Sequence, residues 1–102
     1  MKLYHSTSAT GAAGIDNSGF FERSFGGIAS GVFLSDRPLT DADGVAKSCE
    51  VCFEVDLPGW FDLAPYELIG DDRPQGAYRE WIVPIDFANS WPRVRMAQEY
   101  NE

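Results

Sequence analysis

The clearest pattern in the chain runs from Cys49 to Leu57. Cys49, Val51, Phe53, Val55 and Leu57 alternate with Glu50, Cys52, Glu54 and Asp56, so apolar and mostly acidic positions take turns. A period of two sends successive side chains to opposite faces and predicts a strand with one buried and one wet face. Pro58-Gly59 ends it. Leu3 to Thr7 reads as a short first strand and Val32 to Ser35 as a compact apolar one. Trp81 to Ile85 is an aromatic and β-branched run with Glu80 at its mouth. Trp91 to Met96 predicts a last strand, and Pro92 favours a sheet edge for it. Gly19-Phe20-Phe21 is expected to open another short strand.

Helical signals are weaker. Ser8 to Asp16 predicts a short helix with Ser8 or Thr10 as N-cap and Asn17-Ser18-Gly19 as stop, although Gly11 and Gly14 lower its propensity. Leu39 to Lys47 predicts a second helix, with Asp41 and Asp43 early and Lys47 late, as the helix dipole prefers. Pro65 to Ile69 predicts a helical turn, and Asp86 to Ser90 a plain turn. Gly70 to Gly76 reads as a loop, Gly26 to Gly31 either as a plain loop or as a place where backbone approaches a ligand closely, and residues 97–102 as a frayed polar tail. Short strands with two or three short helices, and neither repeat nor linker, predict one α+β domain over residues 1–102. Its sheet is expected to be split and mainly antiparallel.

Composition narrows the function classes. With 102 residues, 44% hydrophobic and 14% aromatic, the chain can bury a core without staples. The net charge of −8 sets sixteen acidic against eight basic residues, which argues against a nucleic-acid partner, because such affinity comes from Lys and Arg on phosphates. No apolar run is long enough to span a membrane, and Met1-Lys2-Leu3-Tyr4-His5 lacks the apolar core of a signal peptide, so a cytoplasmic location is expected. Cys49 and Cys52 with the lone His5 make too few ligands for a tetrahedral zinc site, and no metal is expected. Positions 49 and 52 point to opposite faces of a strand, so reduced thiols are the simpler reading.

Three segments carry candidate chemistry: Leu3-Tyr4-His5-Ser6-Thr7-Ser8, Gly31-Val32-Phe33-Leu34-Ser35 and Glu80-Trp81-Ile82-Val83. In this order they resemble the ADP-ribosyltransferase superfamily, in its diphtheria-toxin and poly(ADP-ribose) polymerase branch with a His, Tyr, Glu signature. The family segments read like Leu-Tyr-His-Gly-Thr-Ser, Gly-Ile-Tyr-Phe-Ala or Gly-Val-Tyr-Phe-Ser, and Glu-Tyr-Ile-Val. The resemblance implies a split sheet with a cleft for NAD, and cleavage of the nicotinamide–ribose bond with transfer of ADP-ribose to an unidentified acceptor or water.

It further implies that Glu80 is the catalytic carboxylate at the nicotinamide ribose, where a negative charge is worth most as oxocarbenium character develops. His5 would hydrogen-bond the adenosine ribose, Phe33 would stack on nicotinamide, and the Ser6 backbone would hold the nicotinamide amide. Thr7 and Ser35 fall within the same binding segments. Tyr78 or Trp60 would substitute for the family's second aromatic, which Leu39 to Lys47 lacks. Phe33 for Tyr removes a hydroxyl, and Ser6 for Gly adds a side chain. Other classes weighed are a non-catalytic NAD or ADP-ribose binding module and a small acidic interaction protein sharing the fold. An RNA 2′-phosphotransferase would need more basic residues than this chain has.

Overall fold

A computed structural model describes residues 1–21, 23–25, 29–39, 50–70 and 78–96, and within them the chain is a small α+β domain. The elements are β1 (Lys2–Thr7), α1 (Ala9–Ser18), β2 (Arg23–Phe25), β3 (Ala29–Ser35), β4 (Val51–Asp56), a 3₁₀ turn (Ala64–Tyr66), β5 (Glu80–Val83), α2 (Ile85–Ser90) and β6 (Arg93–Arg95). The strand order is β2–β3–β1–β4–β6, with β5 also paired to β3. Every pairing among the described strands is antiparallel.

The two-residue period places the core. On β4, Phe53 and Val55 are buried, and they stand opposite His5 and Leu3 of β1. Cys52 and Glu54 point the other way, opposite Ser6 and Tyr4. On β3, Val32 and Leu34 are wholly buried and pair with Val83 and Trp81 of β5. The apolar face is covered by α1, whose Ala12 and Ile15 are buried. β6 is tied to the same helix, since Arg93 donates to the Ile15 carbonyl and Arg95 pairs with Asp16.

The helix forms despite its glycines because its ends are well satisfied. Ser8 caps it, its hydroxyl accepting from the Gly11 N–H at 3.0 Å, and the Glu50 carboxylate accepts from the Ala9 N–H at 2.9 Å. Gly19, at φ 87°, closes it with an N–H bond to the Ile15 carbonyl. Gly11 is required by packing: a Cβ there would lie 2.3 Å from Thr7 Oγ1.

The sheet is interrupted between β1 and β3. These strands register only at Tyr4 with Ser35, whereas β1 and β4 register from Lys2–Asp56 through Thr7–Val51. Two halves, β1–β4–β6 and β2–β3–β5, therefore meet along a seam.

Several expectations shift. The strand expected from Cys49 begins at Val51, and Cys49 lies outside the described residues; Leu57 leaves the strand but stays buried, its N–H bonding the Met1 carbonyl at 2.7 Å. The run expected to reach Ile85 stops at Val83, because Pro84 has no N–H to continue a ladder. The following residues coil into α2 where a plain turn was expected, with Phe87 and Ala88 N–H groups bonding the Pro84 carbonyl. Gly19 to Phe21 form no strand; β2 starts at Arg23. The helix expected over 39–47, the loop over 70–76 and the tail lie wholly or mostly outside the described residues. Among the described residues, no helix is long and apolar enough to cross a membrane.

Gly31 marks a close approach between β3 and β5, where an added Cβ would sit 2.4 Å from the Val83 carbonyl oxygen. Backbone cannot swing aside as a side chain can. Gly31→Ala is expected to lower stability by about 1–3 kcal/mol, read from urea denaturation. Gly59→Ala, with nothing within 4 Å, should leave the midpoint near wild type. Equal midpoints for the two variants would refute the close approach.

Candidate functional site

Residues far apart in sequence become lateral neighbours on β1, β3 and β5. Tyr4 registers with Ser35, and Ser35 with Glu80, so one row crosses all three strands. Phe33 lies two positions from Ser35 and pairs with Ile82. By the pleat, Tyr4, Ser6, Phe33, Ser35, Glu80 and Ile82 share one face of the sheet. His5 and Thr7 start from the opposite, helix-covered face. His5, Ser6, Thr7, Phe33 and Ser35 thus flank the seam, divided between its two faces, while Glu80 lies one strand further on, across β3.

The His5 ring is 8% exposed, and its Nδ1 lies 2.7 Å from the Phe33 carbonyl oxygen. A carbonyl only accepts, so Nδ1 carries the proton in this contact; in the neutral ring that makes Nε2 an acceptor. The bond spans the interrupted part of the sheet, from a β1 side chain to β3 backbone. The Phe20 ring meets His5 edge to face, with centroids 5.1 Å apart.

The serines also work at the seam. The Ser35 hydroxyl, 2% exposed, lies 2.8 Å from the Arg37 carbonyl and 3.2 Å from the Tyr4 carbonyl. With one proton, it favours the shorter contact. The Ser6 hydroxyl accepts from the Leu39 N–H at 3.1 Å and donates toward Cys52 Sγ at 3.7 Å. The Ser6 side chain is therefore engaged in tying β1 to the segment after β3. Thr7 is buried against the first turn of α1.

Glu80 opens β5 half-buried, and its carbonyl accepts from the Leu68 N–H. A pair of bonds holds its strand end to the end of β3: Asp36 N–H to the Arg79 carbonyl, and Arg79 N–H to the Asp36 carboxylate, each 3.1 Å. Tyr78 lies beside this clasp, with the Arg37 guanidinium 5.7 Å from its ring centre. Trp60 instead packs on Phe61, which meets Phe87 and Trp91. Of the two aromatics proposed as substitutes, Tyr78 is the one beside the Glu80 strand end.

Sequence reading missed Arg37, Arg79, Glu67 and Asn89. Arg79 grips the Glu67 carboxylate with two bonds, 2.8 and 2.7 Å, and lies over the Trp81 ring. A charged pair twelve residues apart in sequence leaves no periodic trace. Asn89 accepts from the Phe20 N–H at 2.8 Å, a contact equally silent in sequence. Hydrogen bonding to Arg79 holds the Glu67 carboxyl below its usual range, partial burial opposing, and the same pairing raises Arg79.

Chemically, the arrangement offers one carboxylate at a strand mouth, an aromatic residue on the same face and an imidazole at the adjoining seam. Among the described residues, no group of three or more His, Cys, Asp or Glu could hold a metal ion. No family model, curated protein or solved structure matches the chain.

The Glu67–Arg79 grip makes a signed pH prediction. Because the folded-state pKa of Glu67 is lowered, the stabilisation is complete above the unfolded glutamate pKa and is lost as pH falls through the folded one. Wild type should therefore have a higher urea midpoint than Glu67→Gln near neutrality, with the gap narrowing in acid and in high salt. A gap unchanged once the carboxyl is protonated would rule out the ion pair as its source.

Proposed function

We propose that the chain is a minimal ADP-ribosyltransferase-like enzyme that binds NAD and cleaves its nicotinamide–ribose bond. The observation that carries this is the lateral adjacency of β1, β3 and β5, the strands bearing His5, Phe33 and Glu80, around a break in the sheet. A small domain has many ways to scatter three segments that stand so far apart in sequence. Phe33, Ser35 and Glu80 share one face of neighbouring strands, which supports a shared ligand there, while His5 starts from the other face of the adjoining strand.

In this reading, nicotinamide lies against Phe33 on the face shared with Glu80 and Ser35. As the bond from ribose C1 to the nicotinamide nitrogen breaks, its electron pair leaves with nicotinamide, and positive charge spreads over C1 and the ring oxygen. The Glu80 carboxylate stabilises that charge, an interaction stronger in the transition state than in the ground state. An acceptor oxygen or nitrogen, water included, then bonds C1 and releases a proton. His5, its Nδ1 bonded to the Phe33 carbonyl, helps to orient the adenosine ribose from the β1 side. Tyr78 closes over the ring in place of the family's second aromatic.

Purified wild type should release nicotinamide from NAD, and NAD should raise its melting temperature. Glu80→Gln should lower release by about 10²–10³-fold while leaving NAD affinity within a few-fold, because a single electrostatic stabiliser typically carries that much of the rate. A wild type that neither melts higher with NAD nor releases nicotinamide would end the proposal.

A further inference from the structure

Phe20 is an unusual residue to find fixed, because it lies in a connection outside any helix or ladder. It is nonetheless 2% exposed. Its backbone is held from α2, sixty-nine residues away: the Phe20 N–H donates to Asn89 Oδ1 at 2.8 Å, and Asn89 Nδ2 reaches the Phe20 carbonyl at 3.5 Å. The residue before it is shaped for this grip. Gly19 is at φ 87°, and a Cβ there would meet Asn89 Oδ1 at 2.8 Å, so a side chain at position 19 would push the amide away.

The ring that Asn89 holds in place is the one packed on His5. Phe20 meets the imidazole edge to face at 5.1 Å and 75°, and Phe53 at 6.1 Å and 79°. The Arg93 guanidinium covers it at 5.3 Å from the ring centre. Two contacts therefore bear on the orientation of His5. The bond to the Phe33 carbonyl fixes one edge of the imidazole, but a histidine χ2 is broad and roughly two-fold, so one bond alone is a weak guide to ring orientation. The Phe20 edge supplies the second constraint. Asn89 also lies on the helix that follows β5 directly after Pro84, so one continuous segment carries Glu80 and the group that grips Phe20.

We propose that Asn89, acting through Phe20, is the positioning residue for the His5 imidazole. Its importance to NAD rests on the function proposed above, but the positioning itself can be read without NAD.

His5 is the sole histidine, so its ring signals in a ¹³C- and ¹⁵N-labelled sample need no assignment strategy. Phe20→Leu, which removes the ring and its local field, sets the reference for a lost contact. Asn89→Ala should move the His5 ring signals from the wild-type positions toward that reference. Asn89→Asp, which keeps the acceptor for the Phe20 N–H, should restore them. Leu57→Ala, a core truncation elsewhere, should lower the melting temperature and leave the His5 signals in place.

With NAD, Asn89→Ala should bind roughly tenfold more weakly than wild type, about the effect of losing one ordinary hydrogen bond. If Asn89→Ala lowers stability yet leaves His5 unmoved, as Leu57→Ala does, the positioning role is overturned. If wild type takes no NAD, the functional reading falls, and the ring signals still decide the role of Asn89.

Discussion

The seam between β1 and β3 is the constraint on which the rest depends. Strands that meet at a single rung leave backbone groups without ladder partners, and a buried one left unpaired costs about 1–3 kcal/mol. Side chains fill the deficit. His5 serves the Phe33 carbonyl, the Ser35 hydroxyl donates to the Arg37 carbonyl within reach of that of Tyr4, and Ser6 accepts from the Leu39 N–H. The buried polar residues among those described are His5, Thr7 and Ser35, all on the two strands flanking the break. None of the described buried side-chain nitrogen or oxygen atoms is left without a partner. His5, Ser6 and Ser35, three of the candidate binding residues, thus also make an interrupted sheet tolerable.

What could be read in the sequence follows from how local each signal is. The alternation around Phe53 and Val55 is a property of consecutive residues, and it located β4 and its buried face. The Ser8 cap and the Gly19 stop were equally visible, and α1 spans the expected region. Gly11 had looked like a flaw in that helix; its reason is Thr7 pressed against the first turn, a contact between elements that propensity does not register. The helix at Ile85 was hidden for a related reason. Ile82, Val83, Pro84 and Ile85 form a continuous apolar run, and only the lost N–H of Pro84 marks where strand gives way to helix.

The candidate residues could be named from the sequence, but not their geometry. His5, Phe33 and Glu80 stood out through their segments, and their strands are neighbours. Their division between two faces needed the register at Tyr4–Ser35, which no sequence motif encodes. The supporting contacts were invisible altogether. Arg79 with Glu67, Asp36 with the Arg79 backbone, and Asn89 with Phe20 are partners made by the fold, and nothing in their spacing pairs them beforehand.

The wiring of the sheet has a consequence for biosynthesis. Lys2 waits for Asp56, Val32 for Val83, and the edge is closed only when Arg95 reaches Phe53. Little of this topology is available to a growing polypeptide, and pairings between distant segments are slow to nucleate. On the ribosome, the first strand emerges long before its mates. The apolar stretches around Val32 and Phe53 then depend on brevity of exposure, or on a chaperone, until the carboxyl-terminal third has cleared the exit tunnel.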